Sequence, residues 1–332
     1  MNNKVLIIGN GFDIDLGLKT RYRDFADSDF WPFKDEEGII HPENRATNLL
    51  RDVLNERKSD VSTWFDLESI MAEFAVHGSR NEFDSHDIEQ DKRDYDVLVE
   101  SLSKYLNKIQ QDDIKKDSIA AVVLRAIIQN GYFSEIYSFN YTDLHLIAQK
   151  LRIHNDFIYS HVHGSLTNNS VILGIESQSL FDPEYRFMCK EYNPYYGSHL
   201  IRQRLESADE VVFFGHGLSK IDYHYFEQLF SMCSSETIIN KKIKWLSFFT
   251  YDENSRMDLL DRLQEMNNRR LDLMFGNNHL QFFKTKDGLT PQLKKYLQHL
   301  KDTSKGAHRE KMHRLASQIQ YRIQDFNGIC KT

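Results

Sequence analysis

Apolar positions along the chain switch between two patterns, unbroken short runs and helically spaced stripes. Val5-Leu6-Ile7-Ile8 is such a run and it closes on Gly9-Asn10-Gly11. A run of that length ended by glycines predicts a strand buried on both faces that stops at a tight turn. The arrangement returns at Val211-Val212-Phe213-Phe214, which meets Gly215-His216-Gly217-Leu218. Shorter runs predict further strands at Glu135–Phe139, Phe157–Val162, Val171–Gly174, Ile243–Phe249 and His279–Phe283. Helical spacing takes over at Leu49, Leu50, Val53 and Leu54, then at Trp64, Leu67, Ile70, Met71 and Phe74. It continues through Tyr95, Leu98, Leu102, Tyr105, Leu106 and Ile109, and again from Ile119 to Ile128. Residues 77–96 hold no periodic apolar set and read as a surface excursion or disordered loop. Tyr22, Phe25 and Phe30 suggest a short helix or lid over the first glycine turn, and the chain is helical from Pro291 on.

Buried strands separated by long helical stretches predict an α/β fold: a doubly wound, mainly parallel, Rossmann-like sheet that starts with Val5–Ile8. Its helical insertion falls at about 43–130, before the strand leading to Asn140. The α/β domain is expected over 1–288, with a helical C-terminal extension over 289–332.

At 332 residues the chain is long enough for one large core with insertions. A net charge of −7 argues against a general nucleic-acid footprint. Cys189, Cys233 and Cys330 lie far apart with no C-x-x-C spacing, which suggests neither a zinc ribbon nor a disulfide framework and fits a reducing cytoplasm. No apolar run reaches 18 residues and no basic and apolar leader opens the chain, so a soluble protein with no membrane partner is expected. Residues 301–332 carry seven Lys and Arg against three Asp and Glu, a basic segment on an acidic chain.

The candidate chemistry gathers at the strand ends. Gly17 lies six residues after Gly11, whereas the ordinary dinucleotide fingerprint has its third glycine three after the second. Asn140 opens the turn Asn140-Tyr141-Thr142-Asp143 into a helix ending near Leu151, which it could cap. His161 and His163 share one strand face, a pattern open to metal ligation, to capping a site or to packing on aromatics. Glu68 lies in the acidic stretch Trp64-Phe65-Asp66-Leu67-Glu68, and Asp222 follows the second glycine turn. The aromatic segment 183–196 reads as a substrate-covering loop.

Taken in order, these stretches resemble the AbiH-type bacterial abortive-infection proteins. The likeness is carried by Leu6-Ile7-Ile8-Gly9-Asn10-Gly11-Phe12-Asp13 with Gly17-Leu18-Lys19-Thr20, by Trp64 to Glu68, and by Phe139-Asn140-Tyr141-Thr142-Asp143. His163-Gly164 and Gly215-His216-Gly217-Leu218 with Asp222 complete it. A remoter similarity to sirtuins and to sirtuin-like antiviral NAD hydrolases implies a sirtuin-like sheet and a chemistry. By that resemblance Asn140 and His163 are the catalytic pair. Gly9, Asn10, Gly11, Phe12, Asp13, Gly215, His216, Gly217 and Asp222 are nucleotide contacts. NAD is then the substrate rather than a cofactor, and no metal is required. The missing zinc ribbon speaks against protein deacylation, and Gly217 stands where a serine is common. The resemblance also implies an effector held inactive until infection, as a homo-oligomer or through the C-terminal region, and released by a phage-derived trigger or a partner defence protein.

Cleavage of the nicotinamide–ribose bond passes through an oxocarbenium-like ribose. It needs groups that orient water and hydroxyls and one base of near-neutral pKa, which places histidine as the base and asparagine as the orienting group. Two other readings stay open. A nucleotide-sensing module would show the same glycines without turnover. A metal-dependent phosphoesterase would want an Asp-x-His pair on the first strand, where Gly9-Asn10-Gly11 stands.

Overall fold

The computed structural model of the chain describes residues 3–33, 50–59, 66–77, 87–176, 181–197, 200–236, 243–267 and 269–302. Six strands form one sheet: β1 (Lys4–Ile8), β2 (Glu135–Ser138), β3 (Ser160–His161), β4 (Glu210–Phe214), β5 (Trp245–Thr250) and β6 (His279–Lys284). Their order is β3-β2-β1-β4-β5-β6 and every neighbouring pair is parallel. That is a doubly wound sheet whose strand order reverses between β1 and β4, the point at which such sheets open a crevice for ligands. All residues of β1 and β4 are buried, because helices cover both faces and a strand in that position must be apolar on each side.

Strand alternation divides the core in two. Leu6, Ile8, Val212 and Phe214 face one cluster, and Val5, Ile7, Val211 and Phe213 face the other. The in-register pairing stacks Phe213 on Phe248 (5.0 Å) and Phe248 on Phe282 (5.2 Å); on the opposite face Phe214, Phe249 and Phe283 repeat the ladder at 4.7 and 4.8 Å. The first cluster is filled by α1 (Asn10–Asp15), α2 (Tyr22–Ala26) and the inserted helices α3 (Leu50–Ser59), α4 (Leu67–His77), α5 (Ile88–Ile109) and α6 (Ile119–Asn130). α7 (Leu144–Lys150) joins them, whereas α8 (Ile201–Ser207), α9 (Tyr223–Cys233), α10 (Glu253–Met266) and α11 (Leu271–Asn277) cover the second face. Residues 291–302 are helical and drive Leu293, Tyr296, Leu297 and Leu300 into the first cluster, with Tyr296 5.1 Å from Phe283. The basic excess beyond residue 302, and Trp64, lie outside the described residues.

Three local expectations fail for identifiable reasons. The stretch read as a surface excursion contains the start of α5 at Ile88, capped by Asp87. Its first turn is buried through a carboxylate rather than an apolar side chain: Asp91 accepts from the Leu50 N–H (2.7 Å) and the Tyr185 hydroxyl (3.1 Å). Val171–Gly174 is no strand, because the Tyr141 and Tyr95 hydroxyls take the Ile172 and Leu173 carbonyls that a ladder would have used. The cap of α7 is Asp143, which accepts from the His145 N–H (2.7 Å), so Asn140 is free for another task.

Candidate active site

The glycine turns after β1 and β4 meet back to back at the point where the strand order reverses. Gly9 and Gly11 donate to the carbonyls of Phe214 and Gly215, both at 2.9 Å, and Gly215 donates to Phe249 at 3.0 Å. A Cβ on Gly11 would lie 2.7 Å from the Gly215 Cα, and one on Gly215, at φ +64°, would collide with the Phe12 nitrogen. These glycines let two strand ends pack against each other, and their N–H groups are spent inside the fold.

Beside this junction lies a cavity of about 110 Å³ walled by Asn10, Asp13, Thr20, Tyr22, Leu102, Leu106, Phe139, Asn140, Tyr141, Thr142 and His163. Asn140 arrives from the end of β2, where the Phe139 N–H continues the ladder onto Ile8 (2.8 Å). Its side-chain amide donates to the Gly9 carbonyl (3.1 Å), and its own carbonyl pairs with His161 Nδ1 (2.8 Å), whose Nε2 meets the Tyr159 hydroxyl. His161 therefore supports Asn140 rather than lining the cavity. Asp13, from α1, is 1% exposed. It accepts from the Thr142 hydroxyl (2.8 Å) through one oxygen, while its Oδ1 has no hydrogen-bond partner. Burial pushes its carboxyl up to about 7, with the Thr142 hydroxyl and the Asn140 amide pulling the other way. His163 follows β3 and precedes Gly164, whose φ of +77° and contact with the Ser170 carbonyl leave no room for a side chain.

Behind His163 sits a buried group of charges. Lys190, in the 183–196 segment, has a side chain with no exposed surface; its Nζ lies 3.1 Å from Glu68 Oε1, 3.5 Å from Glu176 Oε1 and 3.5 Å from His163 Nε2. Burial disfavours its charge, but Glu68, Asp222 and Glu176 more than offset that and keep it an ammonium. Three carboxylates around one ammonium cannot all ionise easily. Burial raises Glu68 to about 7 and Glu176 to about 8, each lowered in turn by Lys190. Asp222 lies 3.4 Å from His163 Nε2 and 3.5 Å from His216 Nε2, and it accepts from the Ser219 hydroxyl (2.9 Å). Burial works to raise its carboxyl, but His163, His216, Lys190 and Ser219 hold it below the usual range. Burial and the Lys190 charge keep the His163 ring well below the usual imidazole range against the pull of Asp222. His163, Glu176 and Asp222 are the one set of possible metal-ligand atoms found among the described residues, all within 4.8 Å of one another. The Lys190 ammonium already touches two of the three, so the cluster carries its own cation.

The structure thus brings Asn10, Asp13, Asn140 and His163 onto one cavity. Phe12 is core, edge-on to Phe214 at 5.2 Å. Gly9, Gly11 and Gly215 form the junction beneath. The Gly217 carbonyl accepts from Arg262, and His216, Asp222 and Glu68 form the layer behind His163. Asp143 caps α7 outside the cavity. Segment 183–196 is built into the core through Tyr185, Met188 and Lys190, leaving Tyr192 and Tyr195 exposed. Sequence reasoning missed Lys190 and Glu176. The signal for Lys190 was faint: one lysine directly after the buried pair Met188-Cys189. It also missed the support that Thr142 gives Asp13, although both stand in quoted motifs.

A doubly wound parallel sheet with polar side chains converging at the carboxyl ends of its central strands defines a Rossmann-like α/β fold. More narrowly, the chain belongs to the bacteriophage abortive infection AbiH family, whose model matches residues 5–248. Comparison with curated proteins finds none that matches. No helix among the described residues is long and apolar enough to cross a membrane.

Proposed function

We propose that this chain is an anti-phage effector that hydrolyses the nicotinamide–ribose bond of NAD or a closely related nucleotide, depleting it on infection. One observation carries the reading: Asn140 and His163, delivered by the ends of neighbouring parallel strands, wall one cavity beside the β1–β4 switch point. Such a reaction is helped by a dry wall of oriented dipoles, which lowers the barrier to a cationic ribose without redox chemistry. The Asn140 amide is fixed by Gly9 and leaves its Oδ1 for the sugar. The acidic wall of the cavity, with Asp13 and no lysine or arginine, suits the positively charged pyridinium ribose better than a phosphate.

Purified protein incubated with NAD tests this. Nicotinamide release is expected, and Asn140→Ala and His163→Ala should each cut it about 100-fold or more, some 3 kcal/mol of barrier, with the far-UV spectrum unchanged. Added chelator is expected to have no effect. Binding of NAD without turnover would make the cavity a sensor, and loss of activity with EDTA would favour the phosphoesterase reading.

A further inference from the structure

We propose that proton work in this cavity is divided between two residues: Lys190 pins His163 as a fixed hydrogen-bond donor through Nδ1, and Asp13 is the group that takes the proton from water. The reaction step rests on the glycohydrolase reading; the proton positions rest on geometry alone.

Lys190 Nζ and His163 Nε2 are in hydrogen-bond contact at 3.5 Å. An ammonium has donors and no acceptor, so Lys190 donates and Nε2 is the nitrogen with the free lone pair. Asp222 Oδ1 lies 3.4 Å from the same nitrogen and could accept a proton from it only if the Lys190 ammonium gave up its own contact there. A neutral imidazole carries a single proton, which must then sit on Nδ1. His216 has the opposite tautomer: the Leu218 N–H donates to its Nδ1 (3.1 Å), leaving Nε2–H toward Asp222. The charged and titratable groups acting on the His163 ring are Lys190, Asp222, His216 and His224, and the Phe139 and Tyr225 rings pack against it. Lys190 is itself held in place by Glu68 and Glu176. With Nε2 engaged and Nδ1 protonated, His163 has no nitrogen with which to act as a base.

Asp13 has what His163 lacks. It is buried in the same cavity, its Oδ1 has no hydrogen-bond partner, and Thr142 fixes the other oxygen. Its carboxyl is raised to about 7 by burial, where a base working near neutrality should lie. In the step proposed, a water oxygen bonds to the ribose C1′ as the C1′–N bond breaks. The bonding pair leaves on the pyridine nitrogen as neutral nicotinamide, and the water proton passes to Asp13 Oδ1. His163 Nδ1–H and Asn140 Oδ1 hold the sugar hydroxyls.

The test uses the full chain with ¹⁵N-labelled histidine and NAD as the substrate. Ring ¹⁵N shifts of His163 are expected to show Nδ1–H and a bare Nε2 from about pH 6 to 8.5. The lock should fail in Lys190→Met and in Lys190→Met with Glu68→Gln, the double variant removing the partner charge so that the fold survives. Asp13→Asn should lower kcat by about 100-fold or more with KM within about threefold. A His163 proton on Nε2, a ring that titrates with an ordinary pKa, or an Asp13→Asn enzyme with near-normal kcat would overturn the proposal. Absence of NAD turnover in the wild type would sink the glycohydrolase reading instead, and the ring shifts would still decide the tautomer.

Discussion

Asp13 shows how a residue legible only as part of a motif acquires its chemistry from the fold. In the sequence it ends Gly9-Asn10-Gly11-Phe12-Asp13; in the structure it is an almost wholly buried carboxyl with one unpartnered oxygen. A carboxyl raised from 3.8 to about 7 favours the protonated folded state, so the stability it contributes is complete below about pH 4 and is lost as pH rises through 7. Asp13→Asn should flatten that loss, which approaches about 1.4 kcal/mol per pH unit inside the window, in urea unfolding compared at pH 5 and pH 8. Gly164 is the converse case, a glycine whose role is wholly conformational. Gly164→Ala should destabilise by about 3 kcal/mol or more, measured the same way, because the Ser170 carbonyl occupies the Cβ position. The placement of Asn140 and His163 at strand ends was legible because polar residues ending apolar strands stand out. Lys190 was not, since nothing in a sequence reveals that a lone lysine will be enclosed by acids from distant segments.

Among the elements, the buried strands were legible and the polar contacts between helices were not. β1 and β4 announce themselves because burial on two faces demands unbroken apolar runs, and β5 and β6 through the paired phenylalanines at 248–249 and 282–283. Val171–Gly174 carries the same signature but is held by tyrosine hydroxyls, a tertiary contact with no local trace. The early start of α5 was hidden because Asp91 fills its buried face, tying α5 to α3 through Leu50 and to the 183–196 segment through Tyr185. Asp91→Ala should therefore cost about 1–3 kcal/mol by leaving buried donors unpaired, and the drop in the urea midpoint measures it. Because Glu68 on α4 pairs with Lys190, loosening the insertion in this way should also lower turnover.

For the whole molecule, the alternation of strand and helix was enough to anticipate a parallel sheet with its insertion ahead of β2. For the C-terminal helical region the sequence left two positions open, packing on its own domain being the commoner and docking on an acidic partner surface the other, since a terminal amphipathic helix reads alike in both; residues 291–302 take the first. Its four apolar side chains complete the first core cluster. A chain cut before residue 291 should be recovered insoluble, whereas one cut after residue 302 keeps that core and is the truncation on which a regulatory role of the basic segment can be measured, by toxicity in cells. The central proposal, cleavage of an N-glycosidic bond by residues at the ends of β2 and β3, is tested most directly by identifying the products of NAD. Equimolar nicotinamide and ADP-ribose, formed by the wild type and not by Asn140→Ala, is the expected result. Nicotinamide mononucleotide with AMP, or intact NAD after incubation with folded protein, would contradict it.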